Sequence, residues 1–448
     1  MLKKITTFVV CMQLASMTAH ASQTVLFSEL DEAMQQWQSD FQQDKASSEF
    51  ELFKQQHLQA FDKYVEQHFA ELDAFRDQLI AKWGEAKVTD NARYVDYNAA
   101  NDARLVVDFE NNRLSISVRH EELHTPSTEQ AREAFEVFLS ENRALLDAFF
   151  QGREQHLDPT ELSSTHRYNL DNAKKAQSLL VARQQIEQQT KQQQQLIERQ
   201  LDNKLALTTS ASDTHKAQTL LNEKKQQLEQ LQTKRVRRLK NSIKAIAAAP
   251  QSQSQVSEFS ISLPKSNNFP QRAKAYTKQI VDNSQRFDIA SSLVFSVMHT
   301  ESHFNPLAKS AIPAFGLMQV VPTSAGVDVN RFLYNLDEPM TGPYLFVADN
   351  NIEAGAAYLH ILDKRYLRHI IDPLSRKYCM IAAYNTGAGN VARVFNSDNS
   401  RNIKKASRII NSMTPELVLA ALEQGLPYDE TKHYLQRVLE REHLYQTI

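Results

Sequence analysis

Glu301 is the side chain best placed to do acid/base chemistry. It follows Val294, Val297 and Met298 at i+7, i+4 and i+3, so a helix through this stretch carries the carboxyl on its apolar face, and Pro306 ends that helix. A carboxyl partly withdrawn from water favours its neutral form, the state that can donate a proton near neutral pH. The same spacing also suits a glutamate at the rim of a core. His299 and His303 stand four apart on this helix, but Glu301 between them would face the other side, and the zinc-protease spacing is His-Glu-x-x-His. No metal and no cofactor are expected.

Three later stretches give Glu301 a setting. Glu301-Ser302-His303-Phe304-Asn305-Pro306 is followed in order by Gly316-Leu317-Met318-Gln319, by Asn351-Ile352-Glu353-Ala354-Gly355 and by Ala383-Tyr384-Asn385-Thr386-Gly387, with Glu430-Thr431 and Tyr434 near the end. In this order they resemble the catalytic domain of the soluble-lytic-transglycosylase family over about residues 271 to 440. The resemblance implies a lysozyme-like helical fold and a lyase that cleaves peptidoglycan strands. It implies Glu301 as the single catalytic acid/base, Ser310 as the serine supporting it, Met318 and Gln319 lining a saccharide groove, and Tyr384 and Tyr434 in the cleft. Asn385 belongs to the same support set, though it and Asn351-Ile352 look more like positions that hold the fold.

One carboxylate suffices for the implied chemistry. Glycoside hydrolases normally use two, one for the leaving oxygen and one to activate water or attack the sugar. Asp328, Asp337 and Asp349 read as solvated or helix-capping residues rather than as a second acid. In the reaction the resemblance implies, the 6-hydroxyl of the muramic acid is the nucleophile, so the product is a 1,6-anhydro end. A non-catalytic scaffold that grips peptidoglycan is the competing reading.

The elements upstream divide into three. Phe61, Val65, Leu72, Phe75 and Leu79 predict a helix from about 47 to 83, ended by Trp83-Gly84. Leu105, Val107 and Phe109 alternate with polar neighbours, as do Leu114, Ile116 and Val118 beyond Asn111-Asn112, which predicts a hairpin with one buried face. A helix carrying Ala131, Phe135, Phe138 and Leu145 should pack on it. Trp83-Gly84, Tyr94-Val95-x-Tyr97 and this hairpin also resemble the N-terminal part of membrane-bound members of the family, which are lipoproteins.

From about Asp171 to Ala249 there is neither Gly nor Pro. Leu179, Ile186, Ile197 and Leu201 mark one narrow stripe and Leu221, Leu228, Leu231, Leu239 and Ile243 another, separated by the turn-like run 208–213. Two antiparallel, coiled-coil-like arms are expected, acting as a spacer and open to envelope protein partners. The basic run Lys234, Arg235, Arg237, Arg238, Lys240 reads as a solvated face. The expected fold is therefore mainly α: an α+β domain over 22–168, arms over 169–250, a linker over 251–270 and a lysozyme-like domain over 271–448.

Length and composition agree with this division. The chain has 448 residues, 42% apolar and 23% charged, which suits roughly three domains and excludes a disordered chain. A net charge of −2 argues against a nucleic-acid partner. Seven of the nine glycines lie in the last third, so turn-dependent geometry concentrates there. Lys3-Lys4, the apolar stretch Ile5 to Met17 and Ala19-His20-Ala21 predict a secretory signal over 1–21. The expected location is the periplasm, with peripheral membrane association open. Val9-Val10 before Cys11 is a poor lipidation site, and removal of the signal leaves Cys379 as the one thiol, which excludes an intrachain disulfide.

Overall fold

The computed structural model describes residues 69–121, 128–141, 163–170, 172–205, 211–248, 254–262, 271–310, 314–336 and 338–446. The signal region, Cys11, Phe61, Val65, Leu145 and Asp337 lie outside them. Among the described residues the chain is mainly helical, with one antiparallel sheet whose strands fall between residues 93 and 262.

The sheet has five strands: β1 (Arg93–Tyr97), β2 (Ala103–Asp108), β3 (Arg113–Glu121), β4 (Ser163–Asn169) and β5 (Ser254–Ser262), in the order β1-β2-β3-β5-β4. The expected hairpin is β2 and β3, with Asp108 opposite Arg113. Leu105, Val107, Leu114 and Ile116 are fully buried against Ala131, Phe135 and Phe138. Those three come from α2 (Thr128–Glu141), which follows α1 over 69–83. Burying a large apolar side chain contributes roughly 1.5–3 kcal/mol, so this cluster alone anchors the module.

The stretch expected as a linker over 251–270 is corrected by the structure: Ser254–Ser262 is an inner strand, paired with β3 on one side and β4 on the other. Phe259 and Ile261 join the α2 cluster, whereas Val256 packs with Leu79, Trp83 and Leu170. Splitting three apolar residues between two faces removes the alternation that marks a half-buried strand. The N-terminal domain therefore does not end at 168, because the arms interrupt its sheet between β4 and β5.

The arms are α3 (Asn172–Leu205, 34 residues) and α4 (Ala211–Ala248, 38 residues). They pack on each other as expected, with Leu179, Ile186 and Leu239 buried together with Ile80 of α1. Residues 206–210 of the expected turn lie outside the described residues, and Ala211-Ser212-Asp213 are helical. Within the basic run, Arg235 is no solvated face: it is buried, its Nε lies 2.8 Å from Asp73 Oδ2, and it covers the Phe69 ring at 4.2 Å. Asp73 also binds Arg76 Nη1 at 2.7 Å. Removing one partner of a buried ion pair typically costs about 3–5 kcal/mol. Asp73→Ala should accordingly lower the melting temperature of the N-terminal half by several degrees, and a calorimetric scan unchanged by the substitution would show that the pair is inert.

The C-terminal domain is a helical cluster around one core. Its helices are α5 (Gln271–Lys274), α6 (Thr277–Phe287), α7 (Ser291–Ser302), α8 (Ala325–Tyr334), α9 (Gly342–Phe346), α10 (Ala348–Ile361), α11 (Pro373–Thr386), α12 (Ala388–Phe395), α13 (Ile403–Ile410), α14 (Pro415–Gly425) and α15 (Asp429–Glu442). Pro373 and Pro415 stand in the first turns of α11 and α14, where the missing N–H costs nothing. Cys379 is buried in this core, and burial pushes its thiol up. Among the described residues, no helix is long and apolar enough to cross a membrane.

The two domains touch at the β2–β3 turn. Arg272 Nη1 donates to Asn112 Oδ1 at 2.7 Å and its guanidinium covers the Phe109 ring at 5.2 Å. Leu307, six residues beyond Glu301, packs against the sheet's apolar cluster.

Candidate active site

Glu301 occupies the last turn of α7 and is half-buried. Val294, Val297 and Met298 of the same helix are fully buried, as their spacing requires. The chain leaves α7 through His303 and Phe304, both left-handed at φ 51° and 65°. Ser302 fixes this exit, since its hydroxyl donates to Leu317 O at 2.7 Å and accepts from Phe304 N at 3.2 Å. The end of the Glu301 helix is thereby tied to the loop 316–319.

Asn351 of α10 clamps that loop. Its Oδ1 accepts from Met318 N at 2.7 Å, and its Nδ2 donates to Phe315 O at 2.7 Å and Leu345 O at 2.8 Å. A fully buried amide must be satisfied in this way, and Asn351 holds the fold as its motif suggested. Gly355, one turn along the same face, lets Met318 lie directly on α10, where a Cβ would collide with the thioether.

Tyr384 on α11 and Tyr434 on α15 close the site from the other side. Tyr384 Oη donates to the Met318 carbonyl at 2.9 Å, and the Tyr358 ring lies 5.5 Å from its own. The Tyr434 hydroxyl is fully buried without a hydrogen-bond partner of good geometry. Burial, then the charge of Glu301 and the neighbouring Tyr384, push its phenol far above the usual range. Glu301, Tyr384 and Tyr434, more than 130 residues apart in the chain from first to last, thus form one group. Thr431 Oγ1 donates to Asn385 Oδ1 at 2.7 Å, which pins α15 to the end of α11.

Two expected groove residues turn inward instead. Met318 is fully buried in the core, and Gln319 donates its amide to Ala308 O at 3.0 Å and Gly316 O at 2.9 Å. The tight turn at 316–319, with Gln319 itself left-handed at φ 47°, dictates these directions. Their side chains shape the loop rather than line an open groove. Ser310 Oγ accepts from Ala314 N at 3.1 Å beside the antiparallel bridge of Lys309 with Phe315, so it braces the chain just ahead of Gly316. Asp328, read above as solvated or capping, is buried: it accepts from Tyr366 Oη at 2.9 Å and meets Arg331 at 3.4 Å. These bonds commit it to the fold.

Sequence reasoning missed what lies behind Glu301. His299 Nδ1 is 2.7 Å from Tyr445 Oη, and Arg441 Nη2 donates to His303 Nε2 at 3.2 Å. Burial first, then Arg441, hold His299 at about 2 and His303 at about 3, both neutral. Asp108 of the sheet domain offsets this only in part at His303, and Glu110 of the same domain lies 3.8 Å from that ring. Among the described residues, no cluster of His, Cys, Asp and Glu could hold a metal.

Both histidines titrate lower when folded than the ordinary 6.5 of the unfolded chain. Their contribution to stability is therefore full above pH 6.5 and is lost as the pH falls toward 3, where the unfolded chain binds protons that the folded one refuses. Each fully refused proton costs up to about 1.4 kcal/mol per pH unit. The C-terminal domain should denature at lower urea at pH 5 than at pH 7.5, and His303→Gln should flatten that dependence. A variant with the wild-type pH slope would show that His303 is not its source.

These features define a helical domain that presents one glutamate and two tyrosines across a clamped loop. Residues 278–407 match the Transglycosylase SLT domain family. Membrane-bound lytic murein transglycosylase C of Sodalis glossinidius (strain morsitans) is 43% identical over 172 residues, 38% of this chain and 47% of the relative. The protein of that name in Serratia proteamaculans (strain 568) is 44% identical over the same shares. The chain thus spans about half the length of the curated relatives it matches. A solved lytic transglycosylase Slt of Pseudomonas aeruginosa is 26% identical over 39% of this chain and 24% of its own, with a TM-score of 0.30.

Proposed function

We propose that this protein is a periplasmic lytic transglycosylase that cleaves the β-1,4 bond between N-acetylmuramic acid and N-acetylglucosamine in peptidoglycan. The observation that carries the reading is the pairing of half-buried Glu301 with the buried Tyr434 hydroxyl inside an SLT domain. Glu301 delivers its proton to the glycosidic oxygen as the bond from muramic C1 breaks. The resulting carboxylate takes the proton of the same sugar's 6-hydroxyl, whose oxygen attacks C1. The proton returns to Glu301, no water is consumed, and the new end is a 1,6-anhydro sugar. Intramolecular attack gains from proximity. Tyr434 and Tyr384 orient the carboxyl and the loop, with Ser310 and Asn385 as their supports.

Release of soluble fragments from insoluble purified peptidoglycan by the full chain tests this reading. Turnover supports it; binding without release would favour the scaffold. Tyr434→Phe removes a buried hydroxyl that faces the Glu301 carboxyl without a well-aligned hydrogen bond, so it should leave the melting temperature nearly unchanged. It should lower turnover about tenfold, and turnover equal to the wild type would remove Tyr434 from the site.

A further inference from the structure

The arms do not stand clear of the C-terminal domain. Their bases pack on α1, where Leu179, Ile186 and Leu239 meet Ile80 and Arg235 binds Asp73. Glu198 stands twelve residues beyond Ile186 on α3, about 18 Å further along the helix. There it is buried, accepts from Tyr428 Oη at 3.1 Å, lies 3.5 Å from Arg401 Nη2 and pairs with Lys225 of α4. Arg401 Nη1 also donates to the Glu198 carbonyl at 3.3 Å, and α3 packs on α12. A buried carboxylate with three side-chain partners is costly to separate from them.

Tyr428 is the residue from which α15 starts. Its carbonyl accepts from Thr431 N at 3.1 Å and Lys432 N at 3.2 Å, the first bonds of that helix. Thr431 Oγ1 holds Asn385, the neighbour of Tyr384, and Tyr434 follows six residues, about 9 Å, beyond Tyr428. The far end of α15 is fixed to the Glu301 helix, since Arg441 Nη1 donates to His299 O at 2.8 Å and the two helices pack together. The chain that leaves α7 is in turn held by the sheet domain through Leu307. The N-terminal half therefore grips the site twice: the sheet holds the exit of α7, and the arm holds the entry to α15.

We propose that the arm hairpin is a strut that sets α15, and with it Tyr434, against Glu301, and that Glu198 is its positioning residue; the inference rests on the catalytic reading above. Without Glu198, the first turn of α15 loses its outer anchor. A group displaced by about 1 Å from its productive place lowers turnover even when the chemistry is far from the change. Binding of the glycan does not depend on Glu198, so the loss falls on the rate. In this account the arms frame the active site and are not a spacer.

Hydrogen exchange and kinetics on the full chain test this together. Glu198→Ala should speed amide exchange at Thr431 and Lys432, which bond to the Tyr428 carbonyl, about tenfold and leave the amides of α7 unchanged. It should lower the maximal rate on soluble glycan strands about tenfold, with KM within about twofold. Glu198→Gln, whose amide oxygen still accepts from Tyr428, should recover most of both. Added to Tyr434→Phe, Glu198→Ala should cost no more than about a further twofold, because both act through one hydroxyl. A multiplied loss, a change confined to KM, or faster exchange throughout the domain would overturn the proposal. A wild-type chain that turns nothing over would sink the catalytic reading, and the exchange rates at Thr431 and Lys432 would still decide whether the arm holds α15.

Discussion

Glu301→Gln is expected to lower peptidoglycan cleavage by about 10²–10⁴-fold, the range that general acid/base catalysis typically contributes. The amide keeps the size and polarity of the carboxyl, so α7 and its ties through Ser302 persist. What is lost is the proton for the leaving oxygen and the base for the 6-hydroxyl. Asp328 cannot substitute, because Tyr366 and Arg331 hold it inside the fold. Assays on dye-labelled sacculi with the purified variant measure the loss. Fragment release within a few-fold of the wild type, with an unchanged melting transition, would remove Glu301 from the chemistry.

Gly316→Ala has the largest expected effect on the fold of the site. Gly316 adopts φ +71°, and a Cβ there would stand 2.5 Å from both Asn351 Nδ2 and the Leu345 carbonyl. The left-handed conformation costs an L-residue about 1–2 kcal/mol. Overpacking against a backbone atom and a buried amide adds roughly 1–3 kcal/mol. A loss of about 3 kcal/mol or more is expected, a large fraction of the stability of a single domain. Because Asn351 also binds Met318 N, the displaced loop would drag the Tyr384 anchor with it. Urea denaturation should show the destabilisation, together with lost activity in whatever folds; a variant as stable as the wild type would show that the clamp yields freely.

The parts of the fold legible in the sequence are those where one physical pattern acts alone. β2 and β3 showed through because one face of each is fully buried, at Leu105, Val107, Leu114 and Ile116. Helix α7 showed through because its run from Leu293 to Met298 is almost wholly apolar and buried, with Glu301 following in its last turn. β5 was hidden because Val256 and Phe259 serve opposite faces in a serine-rich run. The inward turns of Met318 and Gln319 depend on left-handed backbone that residue types do not announce. The docking of the arms was also invisible: Glu198 finds Arg401 and Tyr428 at separations of 203 and 230 residues, where periodicity carries no signal. Charged residues on a narrow-striped helix suggest solvent until the partner surface is in place.

The central claim is that the 6-hydroxyl of the substrate, not water, takes the place of the leaving sugar. Digestion of purified peptidoglycan in water enriched in oxygen-18, followed by mass spectrometry of the fragments, tests it directly. The account predicts muropeptides ending in 1,6-anhydromuramic acid, lighter by one water than reducing ends and free of the heavy isotope. Reducing ends carrying oxygen-18 would show hydrolysis and contradict it.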